Sequence, residues 1–551
     1  MASPLPQKKM TGTCTSGSRE KDRLSDLPDP LLGHVLSFLP TKEAGRAAGL
    51  SRRWRGAFCN VHTVSFAERP GARAGDWSTF YYEAEERKSC SWALLDDVSS
   101  ALLCRRRTAG HHVPLRGLRF AFDRCHHWNF VHVDQWLSYV LRHACSQELH
   151  LDLRFKIGPI CRHRGAVDDE DEKGAVGSGT DDTDDEDRYA ELRRRWVYVL
   201  PRRLFTCSKV IRTLCVAYCR LKLPVAVSLP LLETLSITAP HRDGGRSIQR
   251  LISSCPRLVD LTLEAIHRLK RVSVLDKRLR RFALRCCHNI ESVDIDASEL
   301  RSLDYCGAVP AEALLSLHGS PGVPSCTVDF CRVLSDDAGF MGFRLFMQKI
   351  CDAKYLHLHH RRLDSRFFLA GFPSFSSLTR LVLQGPLQNC GVVVAVGRIL
   401  EQTPNLEVLS LYMEERVAAT KNTDDTMGRD LIMDDDDYDD YYDDDDDYDD
   451  YYDDDDDAME KEMGAEPGEE VTVPDEPSFS MPCLRNRVKE INMVHYVGDE
   501  TQRVLARLLF GSALVLERMC VVLVKGTFAS QSKLKNEIDS WVVAGAEKIF
   551  L

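Results

Sequence analysis

One short pattern recurs from residue 211 onward: an apolar residue, two others, an apolar residue, one other, an apolar residue. It reads Ile211-Leu214-Val216, Leu232-Leu235-Ile237, Leu258-Leu261-Leu263, Leu279-Phe282-Leu284 and Leu300-Leu303-Tyr305, then Ala353-Leu356-Leu358, Leu378-Leu381-Leu383, Leu406-Leu409-Leu411, Val488-Ile491-Met493 and Leu516-Met519-Val521. A weaker copy at Val328 and Phe330 fills the one long gap, with Ser325 in its first position. The alternating pair places two side chains on one face of a short strand, and the first apolar residue packs beneath it. No unit of this size buries its own apolar face, so stacked neighbours must supply the core.

From Leu214 to Leu409 the successive steps are 21, 26, 21, 21, 25, 28, 25 and 28 residues. A period of about 20 to 29 residues with this pattern is the leucine-rich-repeat signature, one strand and one return segment per unit. Ile248 to Cys255 before Pro256, and Val392 to Gln402 before Pro404, are expected to be return helices stopped by proline. The expected fold is α/β: a curved, uneven solenoid.

Two acidic blocks interrupt it. Residues 434–457 hold 18 Asp and 6 Tyr, and residues 168–187 hold 11 acidic residues against Lys173. Together they outweigh the whole chain's net charge of −11, so the remainder is net basic. Like charges at this density repel and nothing apolar is available to bury, which predicts disordered acidic insertions. A tract of Asp and Tyr alone lacks the glycine and the bidentate Glu of an EF-hand loop, so no calcium site is expected there. No run approaches the ~18 apolar residues of a membrane span, and Met1 to Arg23 is polar, so membrane insertion and secretion are not expected. The 20 cysteines include no Cys-x-x-Cys pair, which suits reduced thiols in the cytoplasm or nucleus.

The amino-terminal stretch Asp22 to Phe58 is a separate module. Asp26 is placed to cap a helix with Pro28 in its first turn that runs to Leu39 before Pro40, Thr41 to cap a second, and Ser51 to start a third carrying Trp54. Leu32, Val35, Leu36 and Leu39 form one helical stripe, and Leu24, Leu27 and Leu31 add apolar surface beyond it. So small a unit cannot bury both faces, which implies a partner surface.

These residues resemble the F-box: Leu24-Ser25-Asp26-Leu27-Pro28, Leu32, Val35-Leu36-Ser37-Phe38-Leu39-Pro40 and Leu50-Ser51-Arg52-Arg53-Trp54-Arg55. The resemblance implies docking onto the Skp-type adaptor of a cullin-based ubiquitin ligase through Leu27, Pro28, Leu32, Val35, Leu36 and Leu39. Val488 to Leu523, through Ile491-Asn492-Met493 to Gly498, Val504 to Leu509 and Leu514-Val515-Leu516-Glu517, resembles the FBD-type carboxyl-terminal region of plant F-box proteins. Val133-Asp134-Gln135-Trp136-Leu137, followed by Leu149 to Leu153, resembles the segment that joins F-box to repeats in the same proteins.

The expected organisation is a disordered tail at 1–21, an F-box at 22–66, a linker into the first repeats at 67–145, a solenoid at 146–416 with the insertion 168–187, an acidic loop at 417–480, and terminal FBD-like repeats at 481–551.

No catalytic, cofactor or metal constellation is expected. Cys286-Cys287-His288 is the densest cluster, but neighbours on a strand or its exit point in opposite directions and cannot share one tetrahedral ion without distant ligands. His357 and His359 alternate with Leu356 and Leu358 on the outer face, with His360 at the strand edge, where they would read pH near neutrality. The expected role is therefore a non-catalytic substrate receptor that holds an unidentified protein target. The alternative is a scaffold or nucleic-acid-associated protein using Arg193 to Arg195, Arg202, Arg203 and Arg278 to Arg281. Those arginines lack interleaved aromatic residues, so solvated repeat faces account for them better than nucleic acid. Target contacts are expected on the outward positions Thr262, Ala283, Asp304, His357, Val382 and Ser410, flanked by Arg257, Arg280 and Arg380, for a target with an acidic or polar surface.

Overall fold

The computed structural model describes residues 27–68, 80–106, 113–123, 125, 127–156, 161, 197–206, 210–241, 245–310, 314–319, 322–332, 337–359, 367–368, 372–386, 390–413, 481–542 and 545–551. The tail 1–21 and both acidic insertions lie outside them.

Helices α1 (Asp29–Leu36), α2 (Thr41–Gly49) and α3 (Arg52–Phe58) lead directly into a parallel sheet. Its strands are β1 (Thr63–Ala67), β2 (Gly117–Ala121), β3 (Leu149–Arg154), β4 (Ile211–Ala217), β5 (Thr234–Thr238), β6 (Asp260–Glu264), β8 (Arg281–Arg285), β10 (Ser302–Ala308), β12 (Ser325–Arg332), β13 (Tyr355–His359), β14 (Arg380–Gly385), β15 (Val408–Met413), β16 (Glu490–Tyr496), β17 (Arg518–Leu523) and β18 (Glu547–Phe550), each hydrogen-bonded to the next. Three further strands, β7 (Arg271–Val274), β9 (Ser292–Asp296) and β11 (Leu315–His318), form a second sheet in the order β11-β9-β7.

Repeat length decides which return each unit uses. The step from Leu235 to Leu261 contains the nine-residue helix Gly245–Ser253, whereas the step from Leu261 to Phe282 contains the four-residue β7. Nine helical residues and four extended residues both advance the chain ~13 Å. The extra residues of the longer unit are thus the cost of crossing the same width as a helix. Helices Asp337–Lys349, Cys390–Glu401 and Glu500–Ser512 serve the later, longer units. Both expected return helices are present.

The weak copy needs a correction. Leu303 pairs with Cys326 and Tyr305 with Val328, so the unit is Val323-Cys326-Val328, two residues earlier than the pattern suggests. All three are buried. A cysteine behaves as a small hydrophobe, so the template is unbroken and Ser325 lies on the outer face.

Strands β1 and β2 also obey the template, as Val61-Val64-Phe66 and Leu115-Leu118-Phe120, all buried. They lie in and directly ahead of the segment expected to be linker. Helices α4 (Phe80–Arg106), between β1 and β2, and α5 (Phe130–His143), between β2 and β3, cover the sheet with Leu94, Leu95, Val98, Val133, Trp136 and Val140. Trp136 donates from Nε1 to Ser99 Oγ at 3.1 Å and meets the rings of Phe120 and Phe122. Asp134 accepts the Tyr198 hydroxyl proton at 2.6 Å, so the joining segment is locked to both sides. At the far end, β15 pairs with β16 (Leu409 to Ile491), and the ladder resumes in register beyond the acidic segment. β18 closes the sheet, with Lys548 at the inward position opposite Met519.

Candidate functional site

The amino-terminal module has its own small core of Leu32, Leu36, Ala44, Ala57 and Val61, with Leu27, Ala47, Trp54 and Phe58 packed around it. Pro28 precedes α1 as its N-cap, and the helix ends at Leu36, three residues earlier than expected. Phe38 and Leu39 continue it only through i to i−3 bonds to Val35 and Leu36, because a residue before a proline avoids the helical region. Asp26 lies outside the described residues. Gly33 is packed so tightly that a Cβ there would lie 2.6 Å from Asn60 Cβ. Ser51 caps α3, accepting the Trp54 amide at 3.2 Å, as expected.

Thr41 does not cap α2. It is the first helical residue after Pro40, and its buried hydroxyl instead accepts the Ser65 amide of β1. Ser37 Oγ donates to Gly33 O at 2.7 Å and accepts the His62 amide at 3.0 Å. Module and sheet therefore share hydrogen bonds as well as a chain connection.

Burial divides the six residues expected to dock. Leu32 and Leu36 point into the core and present no surface, Leu27 is partly buried, and Pro28, Val35 and Leu39 are exposed. The apolar surface is completed by residues outside that set: Leu31 is 50% exposed, Phe38 74% and Leu50 80%. Phe38 meets His34 edge-on, and Leu50 follows the end of α2. The signal for them was available, since each falls off the stripe that closes the core. Several large apolar side chains this exposed on a module of this size are apolar surface left to a partner.

On the sheet, one outward row runs Thr262, Ala283, Asp304, Thr327, His357, Val382, Ser410 and Asn492 from strand to strand. Thr262, Asp304, His357 and Ser410 are thus brought together. Ser410 is itself buried and receives the Asn492 side-chain amide at 3.2 Å. Asp304 accepts both Nε and a terminal nitrogen of Arg285. Arg380 belongs to the adjoining outward row, between Tyr355 and Val408. Arg257 and Arg280 do not: they precede β6 and β8, and Arg280 lies 4.0 Å from Glu299. Of the three arginines expected to flank the row, Arg380 alone stands on a strand; Arg281 and Arg518 share its row and pair with Asp260 and Glu547.

His357 lies 3.0 Å from Gln384 Oε1 and stacks on His359 with ring centroids 4.4 Å apart. Burial, then the His359 charge, pushes its pKa below the ordinary histidine value. His360 lies outside the described residues. Of the basic alternative, Arg278 pairs with Glu299 and Arg281 with Asp260, while Arg203 is held by Ser138 and the Asp134 carbonyl. Arg193 to Arg195 lie outside the described residues.

Cys286 and His288 find the distant ligands that their own neighbourhood could not supply. Cys161 and Cys331 join them, with ligand atoms all within 4.8 Å of one another. Cys287 points away, donating to Leu263 O at 3.7 Å.

A family model described as F-box domain matches residues 24–64, and one described as FBD-associated F-box protein At5g56370, LRR repeats, matches residues 189–314. Among Arabidopsis thaliana relatives, F-box/LRR-repeat protein At4g14103 is 25% identical over 417 residues, covering 72% of this chain and 92% of that protein. Putative F-box protein At3g44060 is 23% identical over 402 residues, covering 70% and 78%. Putative F-box/FBD/LRR-repeat protein At4g00315 is 26% identical over 286 residues, covering 51% and 52%. The chain is thus similar to the F-box domain over its amino-terminal module and to the repeats of an FBD-associated F-box protein over residues 189–314, and its relatives are Arabidopsis F-box and F-box/leucine-rich-repeat proteins.

Proposed function

We propose that the chain is the substrate receptor of a Skp-cullin-F-box type ubiquitin ligase, docking to a Skp-type adaptor, and through it a cullin, with the amino-terminal module. The observation that carries this reading is the exposure of Leu31, Val35, Phe38, Leu39 and Leu50 on a module whose core is already filled by Leu32 and Leu36. Apolar surface left over after a core is closed is available to a partner. The receptor has no chemistry of its own. It raises the effective concentration of a target near the transferring enzyme, and the outward rows of the sheet hold that target through directional polar contacts. The thiol-rich interior suits a reducing compartment, the cytoplasm or nucleus.

Co-expression of the full chain with a Skp-type adaptor tests the reading. The pair is expected to co-purify, and Leu50→Asp with Phe38→Asp is expected to abolish co-purification while leaving the melting temperature unchanged. A wild-type chain that does not bind the adaptor, or a double variant that binds it undiminished, overturns the proposal.

A further inference from the structure

We infer that Cys161, Cys286, His288 and Cys331 form a structural zinc site at the carboxyl-terminal ends of the central strands. Cys286 follows the last residue of β8 and His288 lies two residues on, while Cys331 belongs to the end of β12. Cys161 arrives from beyond β3, and in the sheet order β4, β5 and β6 lie between β3 and β8. The strand exits explain the aim of Cys286. The residues after β4, β5, β6 and β8, which are Tyr218, Ala239, Ala265 and Cys286, all have left-handed φ of 44° to 56°. This recurring turn sends Cys286 and Cys287 to opposite sides, Cys287 into the repeat core and Cys286 to the cluster.

The four ligand atoms lie close enough together to surround one ion. Zinc bonds of about 2.3 Å to sulfur and 2.0–2.1 Å to nitrogen give tetrahedral edges of ~3.8 Å between sulfurs and ~3.5 Å between sulfur and nitrogen. His288 Nε2 lies 3.4 Å from Cys161 Sγ and 3.9 Å from Cys331 Sγ. Three soft thiolates with one imidazole select zinc over the hard cations, and a fully protein-filled shell is a structural rather than a catalytic arrangement. Cys306 adds a further sulfur 3.6 Å from Cys286 Sγ, close to that ligand but outside the set of four. Zinc binding releases the three thiol protons to solvent with nothing oxidised. The site would fasten the chain at Cys161, just ahead of the acidic block 168–187, to repeats more than a hundred residues away.

Metal analysis of the full chain, purified without chelators under reducing conditions, tests the inference. About one zinc per chain is expected. Cobalt substitution should give tetrahedral d–d bands and thiolate-to-cobalt charge transfer. Cys161→Ser and Cys331→Ser should each weaken zinc binding by at least the ~10- to 100-fold that follows loss of an outer-shell partner. His288→Cys should retain zinc, as should Cys104→Ser at an exposed cysteine. Should a ligand variant fail to fold, the cobalt spectrum of the wild-type chain decides. A wild-type chain that holds neither zinc nor cobalt, zinc content indifferent to Cys161→Ser and Cys331→Ser, or a metal-free chain with Cys286 and Cys306 joined as a disulfide overturns the assignment. Zinc lost in Cys306→Ser but kept in Cys161→Ser overturns the ligand set.

Discussion

Thr41 Oγ1 accepts a hydrogen bond from the Ser65 amide at 2.7 Å, joining the first residue of α2 to the middle of β1. The two residues are 24 apart in sequence, and the bond sits where the helical module meets the first repeat. Thr41 is buried, so neither water nor another side chain can readily replace its oxygen.

Thr41→Val keeps the shape and removes the acceptor. It is expected to lower stability by ~1–3 kcal/mol, the cost of an unsatisfied buried donor, while Thr41→Ser restores most of it. Urea unfolding of the two variants beside wild type checks this. Equal midpoints for valine and threonine would show that the bond contributes nothing.

Leu36 and Leu50 separate stability from docking. Leu36 is buried in the module core, so Leu36→Ala should cost ~2–5 kcal/mol. Leu50 is 80% exposed, so Leu50→Ala should change stability by less than ~0.5 kcal/mol and weaken adaptor binding instead. Thermal melts paired with adaptor titration distinguish the two losses.

His62 gives the junction a pH dependence. Burial, then the charges of Arg116, His34 and Arg105, lower its pKa to about 4, with Glu148 opposing them. Its ring lies 2.9 Å from the His34 ring nitrogen. Unfolded, the group titrates near 6.5 and binds a proton that the folded form refuses. The unfolded state therefore gains protons first, and stability falls as pH drops through the window from about 6.5 to 4. Because the ring is only partly buried, the loss between pH 7 and pH 5 should be of order 1 kcal/mol, and His62→Gln should flatten that slope. Melts of both proteins across this range provide the check.

The repeats were legible where leucines keep the period and hidden where something else does the same work. Cys326 fills an inward position as well as leucine does, but its letter drew the pattern two residues off. Val64 and Leu118 satisfy the template too, yet the long helix α4 separates them and leaves no period to find. Lys548 stands inward on β18, the last strand of the sheet among the described residues, and its ammonium reaches Asp539 at 2.6 Å. The docking stripe was legible as a face but not as a partition, since helical spacing alone does not say which of Val35 and Leu36 the third helix covers. The Cys161 to His288 contact spans 127 residues, a distance at which no local spacing rule operates.

Arg380 is the arginine on which target recognition by the sheet can be tested. It stands on β14 in register with Tyr355 and Val408, exposed beside the row that carries His357 and Ser410. Arg280 has the same chemistry but precedes its strand and faces Glu299. If an acidic target lies along the outward rows, Arg380→Glu replaces an attraction with a repulsion at the contact and should reduce capture at least ~10-fold, most strongly at low salt. Arg280→Glu should leave capture nearly unchanged, because an exposed pair of that length contributes under ~1 kcal/mol. Both variants should bind the adaptor as wild type does, which controls for folding. Capture with proteasome activity blocked, compared across the two, gives the answer. Equal capture by both variants would move recognition off these rows, to the terminal repeats at 481–551 or the loops.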